Sequence, residues 1–514
     1  MSEQLVVSSI QAPGFMGVNT QDSSVSLESG FATVALNCVI DKFGRIGARK
    51  GWTPAHSSTI TSLANADVES IGELIGTDGT SSVIFAGNNH LYRIVAGVVT
   101  QLTYGGGGTA PSITASNWQM APLSNCLYLY QEGHDPLVYD PAVSTTTYRR
   151  ISEKSGYLGT VEHNNCVISA YGRTWSASSV GNKSKVQFSD LLSGHILNTG
   201  SSGYLDISAI WPNGADEITA LAAHNHTLIV FGRRQILVYQ GAEDPSTMKL
   251  QDTISGVGCC ARDSVVVTGT DVFFLSDAGV RSLARTIQEK SAPMRDISSN
   301  VRDDIVRDTI QESDLSKIKG VYSDVNAFYL LTFPSSTTTY CFDMRKPLQD
   351  GSARVTTWSL VPTALFSARD KTLLMGFEAS LGKYSGLTDN EVGYRFAYLS
   401  SYFDLGQPSN IKVLKKIGFT IIGGSEAILS LKYGFDYSPS LRAQSFSLAK
   451  AGISEYGVAE YGIAEYSSGI VFDNQKLNTG GNGNVLQVGI ESEIKGFELS
   501  IQKLDVFCKL GRTR

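Results

Sequence analysis

Hydrophobic residues along this chain come in pairs of short runs, and a polar turn separates the members of each pair. The clearest example is Leu228–Gly241, in which LIVF and ILVY flank a polar break. The same form returns more loosely at Val83–Val95, Leu127–Asp140, Val272–Leu283 and Leu373–Ser385. Two runs of β-forming residues around a turn of Gly, Asn, Asp or Pro are typical of a β-hairpin.

Two further runs, Cys166–Tyr171 and Val321–Phe333, fit this form less neatly. Together the seven runs begin about 40–60 residues apart, which is the spacing of four-stranded propeller blades. The pattern therefore predicts an all-β fold, with a β-propeller of repeated strand-turn-strand units over residues 56–394.

Within the predicted propeller, residues 296–317 are charged and follow a helical period. The apolar positions that recur there are Ile297, Val301, Ile305 and Ile310. This spacing predicts one short surface helix as an insertion, with Asp296 or Ser298 as its N-cap.

From residue 395 the strand-like segments lengthen and alternate apolar with polar residues, as in an antiparallel sheet with one wet face. Residues 395–514 are therefore predicted to form a separate C-terminal β-sandwich or barrel. In the segment KVLKK, strict alternation places Lys412 and Lys416 on one face and Lys415 on the other.

Inside this C-terminal domain, residues 452–467 repeat Glu-Tyr every five residues, a period that matches neither helix nor strand. The repeated residues are Glu455, Tyr456, Glu460, Tyr461, Glu465 and Tyr466. A projecting loop whose tyrosines contact a partner is one interpretation. A surface loop that drifted into low complexity is the other.

The amino-acid composition of the chain weighs against several classes of function. The chain of 514 residues carries a formal net charge of −6 and only 18% charged residues, which weighs against a protein that grips nucleic acid. Seven cysteines without a CxxC motif indicate buried, reduced thiols and folding in a cytosol. Neither a signal peptide nor an apolar run long enough to cross a membrane is expected.

Motifs that carry catalysis are missing from the sequence, including GxSxG, HExxH, Walker A and a GxGxxG that opens a helix. His224 and His226 could lie on one strand face, but no acidic or Cys partner is near them in sequence. Asp263, Asp271 and Asp277 are interpreted as turn residues. We therefore predict no catalytic, cofactor-binding or metal-binding residue, and the chain is not expected to be an enzyme.

Residues 1–55 do not follow the blade pattern and are expected to form an N-terminal arm with docking strands. Their distinctive stretches are Gly17-Val18-Asn19, Gly30-Phe31-Ala32, Leu36-Asn37 and Gly44-Arg45-Ile46-Gly47-Ala48-Arg49-Lys50-Gly51-Trp52. Near the start of the C-terminal domain stand Ser401-Tyr402-Phe403-Asp404-Leu405-Gly406 and the basic Lys412, Lys415 and Lys416. Together these stretches resemble the tail hub or nozzle proteins of short-tailed bacteriophages, also called DNA-stabilising or tail tubular proteins.

The resemblance implies a structural virion protein, assembled in the host cytoplasm and located in the tail. Its copies would form a homo-oligomeric ring, as a hexamer, that retains packaged double-stranded DNA and lets it pass during ejection without sequence-specific binding. Tail adaptor or portal-proximal proteins and tail fibres, needle or spike would be its partners. The candidate partner contacts are Asn19, Arg45, Arg49, Trp52 and the six residues of the Glu-Tyr repeat.

Two other functions fit the same pattern. A propeller can be a tail-borne glycan hydrolase or lyase, which needs paired carboxylates facing the central axis. Alternatively, the chain could be a module that binds a host receptor or carbohydrate through its Glu-Tyr loop.

Overall fold

The computed structural model describes residues 5–24, 26–113, 117–289, 296–423, 427–448 and 472–513. Strands dominate this part of the chain, and two α-helices interrupt them. The first strands are β1 (Leu5–Gln11), β2 (Gly17–Val18), β3 (Phe31–Leu36), β4 (Cys38–Ile40), β5 (Ile46–Ala48) and β6 (Trp52–Pro54).

Four antiparallel units follow in chain order, and we call them blades 1 to 4; a parallel pairing between the last strands of blades 1 and 2 joins these two blades into one eight-stranded sheet. Blade 1 contains β7 (Val68–Ile75), β8 (Ser81–Gly87), β9 (His90–Val95) and β10 (Val98–Tyr104). Blade 2 contains β11 (Gln119–Leu123), β12 (Cys126–Tyr130), β13 (Leu137–Tyr139) and β14 (Thr147–Arg150). Blade 3 contains β15 (Asn164–Ala170), β16 (Arg173–Ser179), β17 (Asn182–Asp190), β18 (Ser193–Leu197) and β19 (Gly203–Asp206). Blade 4 contains β20 (Ile218–His224), β21 (Thr227–Gly232), β22 (Gln235–Gln240) and β23 (Lys249–Ser255).

Three more sheets complete the series as blades 5 to 7, and helix α2 (Arg302–Gln311) lies between blades 5 and 6 in the chain. Blade 5 has β24 (Val266–Val267), β25 (Val272–Ser276) and β26 (Gly279–Ser282), against which helix α1 (Leu283–Glu289) packs. Blade 6 has β27 (Lys319–Ser323), β28 (Phe328–Phe333), β29 (Thr338–Asp343) and β30 (Arg354–Trp358). Blade 7 has β31 (Ala364–Ser367), β32 (Leu373–Phe377) and β33 (Ser380–Tyr384), with β6 as its fourth strand.

The seven blades close into a ring. Their first strands contact one another in the order β7, β11, β15, β20, β24, β27 and β31, and β31 in turn contacts β7. Strand β6 precedes blade 1 in the chain, and it pairs antiparallel with β33 of blade 7. The N-terminal segment thus ties the last blade to the first. A closed cycle of first strands is the geometry of a β-propeller, here with seven blades in the described residues.

Hydrophobic clusters between neighbouring blades hold the ring together. Trp175 of blade 3 and Leu228 of blade 4 belong to one such cluster. Phe85 of blade 1 and Leu381 of blade 7 belong to another, across the point of closure. Blade 2 is covered on both faces, and its middle strands β12 (CLYLY) and β13 (LVY) are buried and apolar along their whole length.

The C-terminal domain is built from two sheets. Its own strands are β34 (Tyr394–Ser400), β35 (Asn410–Gly423), β36 (Ile428–Phe435), β37 (Arg442–Ser447), β38 (Phe472–Gly483), β39 (Leu486–Ile494) and β40 (Leu499–Thr513). One sheet has the order β38-β35-β40-β5-β4, and β1 also pairs with β40. The other runs from β27 of blade 6 through β30, β2, β3, β34, β39 and β36 to β37, so blade 6 and this sheet are continuous.

The N-terminal strands dock into two larger units. Strands β1 to β5 complete the two C-terminal sheets, and β6 completes blade 7. A single large core unites β1 to β5 with the C-terminal domain and with blades 5 and 6.

The predicted hairpins agree with the structure. The run Leu228–Gly241 forms β21 and β22, the middle strands of blade 4. Four other predicted hairpins supply the middle strands of blades 1, 2, 5 and 7. The two less regular runs fall in blades 3 and 6, so each of the seven runs marks a different blade.

The predicted helix is present as α2, while α1 was not predicted. Ile305 is fully buried, but Ile310 is 78% exposed, because a step of five residues turns about 140° around a helix. The predicted Ser298 is the N-cap residue of a 3-10 turn, Ser299–Val301, that runs directly into α2, while Val301 is the N-cap residue of α2 itself, and neither makes a side-chain cap bond. Asp296, the other predicted cap, accepts from the Ser298 amide at 3.1 Å and pairs with Arg281 of blade 5 at 3.4 Å.

Candidate functional site

One end of the propeller axis is filled by a polar cluster that we call the axial network, formed by Asn117, Asn165, Arg262, Asp263 and Lys319. Each residue lies at or just before the first strand of its blade, namely blades 2, 3, 5 and 6. First strands surround the axis, so these side chains converge on it.

Arg262 is the centre of this network. Its guanidinium binds both carboxylate oxygens of Asp263, at 2.7 and 2.9 Å. It also donates to the backbone oxygen of Asn165 at 2.8 Å and to the side-chain oxygen of Asn117 at 3.1 Å. Blades 2 and 5 are not neighbours in the ring, so the contact between Asn117 and Arg262 crosses the axis.

Lys319 closes the network from blade 6. Its Nζ donates to Asn117 Oδ1 and to Asp263 Oδ2, both at 2.6 Å. Burial alone would raise the pKa of Asp263, but Arg262 and Lys319 outweigh it and hold that pKa well below its usual range. Asp263 lies in the 3-10 turn Arg262–Ser264, as the turn residue expected from the sequence, and is in addition an ionised structural anion. Because its oxygens are engaged by two cations, it is unsuited to transfer a proton.

The opposite end of the axis carries a shallow groove of about 480 Å³ between blades 1, 2 and 7. Met120, Leu123 and Phe366 contribute its apolar lining. Glu73 is the one carboxylate among the described lining residues, and it accepts hydrogen bonds from Ser81 Oγ at 2.6 Å and the Arg369 amide at 2.7 Å. A glycan hydrolase needs two carboxylates beside one substrate, and this groove presents a single one.

A second cluster joins the propeller to the C-terminal domain; we call it the N-terminal clasp, and it consists of Asn37, Arg49, Gly51 and Trp52. Arg49 is fully buried, and its two terminal nitrogens bind the two carboxylate oxygens of Asp389 at 2.7 Å each. Its Nε donates to Asn37 Oδ1 at 3.0 Å. The guanidinium also lies 4.1 Å from the centre of the Tyr394 ring, in strand β34.

The remaining clasp residues act through backbone and ring contacts. Asn37 Nδ2 donates to the carbonyl of Arg395 at 2.6 Å. Trp52 stacks on Phe377 of blade 7 with ring centres 4.2 Å apart. Gly51 passes so close to the backbone of Thr388 that a Cβ there would overlap it.

The predicted partner contacts in the N-terminal region therefore lie mostly inside the molecule. Arg49 is buried in the clasp, and Trp52 is half-buried against blade 7. Asn19 is also buried, and its side-chain oxygen accepts from the amides of the next turn at 2.9 and 3.1 Å. Arg45 donates from Nε to Gln502 in β40 at 2.7 Å. The six residues of the Glu-Tyr repeat lie outside the described residues.

Sequence reasoning missed the axial network altogether. The available signal was a charged pair, Arg262-Asp263, set between two apolar runs directly after the adjacent cysteines, and a lone lysine at the start of a strand. All seven cysteines are buried and unpaired. Burial raises the pKa of Cys259 to about 11, so this member of the adjacent pair is not poised as a thiolate.

The described ranges contain no group of three or more His, Cys, Asp or Glu side chains placed to hold a metal ion. Helices long and apolar enough to span a bilayer do not occur in the described part of the chain.

Comparison with known proteins gave distant structural similarity alone. No protein-family profile and no curated sequence matches the chain. PorZ, a surface component of the type-IX secretion system of Porphyromonas gingivalis, is 12% identical with a TM-score of 0.36, over 77% of this chain and 46% of that one. The extracellular domain of a putative hybrid two-component system from B. thetaiotaomicron is 11% identical with a TM-score of 0.40, over 86% and 61%.

The WD40 domain of Neurospora crassa Pan2 is 7% identical with a TM-score of 0.39, over 65% of this chain and 96% of that domain. These scores are all low. The propeller assignment therefore rests on the cycle of first strands and the clusters between blades.

Proposed function

We propose that this chain is a structural subunit of the ring-shaped nozzle or hub of a short-tailed phage tail. The proposal rests on the structural role of the N-terminal stretch that resembles this family. Its residues Asn37, Arg49, Gly51 and Trp52 form the clasp between propeller and C-terminal domain. The stretch therefore builds a rigid two-domain block, which is what a ring subunit requires.

The charge of the chain supports the passage of DNA without tight binding. A net charge of −6 provides few phosphate contacts, whereas a basic lining would hold a duplex through many of them. The axial network blocks one end of the propeller axis, so DNA would pass through the central opening that the ring of subunits encloses and not through a propeller.

The same network weighs against the glycan hydrolase alternative. At the blocked end Asp263 is bound by Arg262 and Lys319, and at the grooved end Glu73 stands without a second carboxylate among the described lining residues. One sequence observation, the Glu-Tyr repeat, favours a receptor-binding role. Under that function, deleting Ser454–Tyr466 abolishes adsorption to the host and leaves particle assembly unchanged.

The oligomeric state of the purified full-length chain tests the nozzle proposal. Mass photometry and negative-stain electron microscopy should show a closed ring, with a hexamer as the expected species. A chain that stays monomeric at every concentration would contradict the proposal.

A further inference from the structure

Strand β1 leaves one edge of the C-terminal domain unpaired in the described residues. Ala12 donates its amide to the Gln502 carbonyl of β40 at 3.0 Å, which sets the alternation of hydrogen bonds along β1. Residues 6, 8 and 10 consequently face β40. The N–H and C=O groups of Leu5, Val7 and Ser9 point away from it, while the Gln11 carbonyl accepts from the Gly14 amide at 2.7 Å.

This edge lacks the usual protection against pairing with another chain. Strand β1 has the sequence LVVSSIQ, without charge or proline, and its register against β40 runs without a bulge. Leu5 and Val7 are 44% and 48% exposed on the outer face. Natural edge strands of this kind are normally blunted or covered, because they invite strand addition.

On the opposite edge of the same sheet, part of β38 is also unpaired in the described residues. From Asn474 to Asn478, β38 pairs with β35 without interruption, and its other side meets no described strand. In the order β38-β35-β40-β1, every neighbour is antiparallel. Strands β1 and β38 therefore run in opposite directions.

Because the two free edges run in opposite directions, they fit a head-to-tail contact between two copies of the chain. When two copies stand side by side in the same orientation, β1 of one meets β38 of the next in an antiparallel sense. A two-fold contact between two β1 strands would cover one edge and leave the other open. Head-to-tail contacts generate rings when their rotation closes.

We propose that β1 of one subunit pairs with residues 474–478 of β38 in the next subunit, so that one sheet of each C-terminal domain joins those of its neighbours around the ring. This inference rests on the proposed function and names its interface. The partner is a second copy of this chain, bound through main-chain hydrogen bonds.

A proline at position 7 tests this pairing. The Val7 N–H points away from β40, so Val7→Pro removes a donor at the interface and leaves the β1–β40 bonds intact. Val7→Ala is the matched control, because it shortens the same side chain and keeps the donor. We expect Val7→Pro to weaken assembly about tenfold or more and Val7→Ala to assemble like the wild type.

The variant must also be shown to fold, by an unchanged circular dichroism spectrum and protease resistance of the monomer. Rings of Val7→Pro as stable as those of the wild type would overturn the edge pairing and leave the nozzle proposal standing. A wild-type chain that never forms rings would overturn both.

Cross-linking gives a second, independent measurement. The double variant carries Val7→Cys and Lys476→Cys. Within one chain these two strands are separated by three strand spacings, about 14 Å, and a shorter bis-maleimide cannot bridge them. Such a reagent should therefore link neighbouring subunits and produce a ladder of oligomers. Each single variant should give no ladder, and the native thiols are buried. A dimer formed by Val7→Cys alone would indicate two-fold pairing of β1 strands and would overturn the head-to-tail contact.

Discussion

Arg49 and Asp389 are 340 positions apart in sequence, yet they form a bidentate ion pair with both N–O distances at 2.7 Å. Arg49 comes from the link between β5 and β6, and Asp389 from the link between β33 and β34. Both links run between the propeller and the C-terminal domain. The pair therefore couples the closure of the propeller ring to the attachment of the second domain.

Replacing Arg49 tests this coupling. Arg49→Ala leaves the Asp389 carboxylate without the cation that pairs with it and removes one donor to Asn37, and we expect a loss of about 3–5 kcal/mol in the free energy of unfolding. Arg49→Lys keeps the charge but loses the planar fork, so it should also be destabilised, to a smaller extent. Urea unfolding measures the stability of both variants.

Lys416→Ala, at an exposed position, is the control and should change stability by less than about 0.5 kcal/mol. Equal stability of Arg49→Ala and the control would contradict the role of the clasp.

Glycine is required at position 51 because the chain passes against the backbone of Thr388 there. Gly51→Ala would place a Cβ over the Thr388 carbonyl, and we expect it to cost about 1–3 kcal/mol or more. An added Cβ at Gly181 meets no heavy atom within 4 Å, so Gly181→Ala is a matched control that should be nearly neutral. Thermal unfolding of Gly51→Ala and Gly181→Ala measures this difference in stability. Similar melting temperatures would show that the chain can move away from Thr388.

Two isoleucines on helix α2 provide a test of the helix orientation. Ile305 is fully buried and Ile310 is 78% exposed, although both belong to the apolar positions from which the helix was predicted. Ile305→Ala should destabilise the protein by about 2–5 kcal/mol through cavity formation. Ile310→Ala should stay within about 0.5 kcal/mol of the wild type. The reverse order of stabilities would mean that the helix is rotated about its axis.

The axial network predicts a specific pH dependence. Since Arg262 and Lys319 depress the pKa of Asp263 in the folded state, its ionised form contributes stability above the unfolded pKa of about 3.9. That contribution is lost as the pH falls toward the folded pKa.

Asp263→Asn should therefore cost about 3–5 kcal/mol at pH 7, because Lys319 and Arg262 keep their buried charges. The difference from the wild type should shrink below about pH 4, where the wild type also begins to lose the anion. Denaturant titrations at several pH values measure this difference. A constant difference between pH 7 and pH 2 would contradict the depressed pKa.

Local pattern was enough to locate the blades. A hairpin such as β21–β22 depends on runs of β-forming residues and on the turn between them, and both are adjacent in sequence. The same holds for helix α2, whose position followed from a short apolar period. Its caps and the side of Ile310 did not follow, because packing against blade 5 decides where the helix begins and which side it buries.

Strand β35 shows that one extra residue makes a prediction from strict alternation of faces fail. Strict alternation placed Lys415 opposite to Lys412 and Lys416. In the structure the register shifts between Leu414 and Lys416, so Lys415 and Lys416 are both exposed while Lys412 is buried and donates to the Gln407 carbonyl. A bulge adds one residue to one strand and reverses the expected face beyond it.

The sequence by itself determined the repeated hairpins, the β class and the distinctiveness of the opening stretch, since these depend on neighbours in the chain. Only the tertiary structure decided that Arg49 is an internal clasp residue and that Arg262, Asp263 and Lys319 fill the axis. Their partners come from other blades or from the other end of the chain. A buried charge is tolerated where such partners surround it, and nothing in the local sequence records which distant residues will do so.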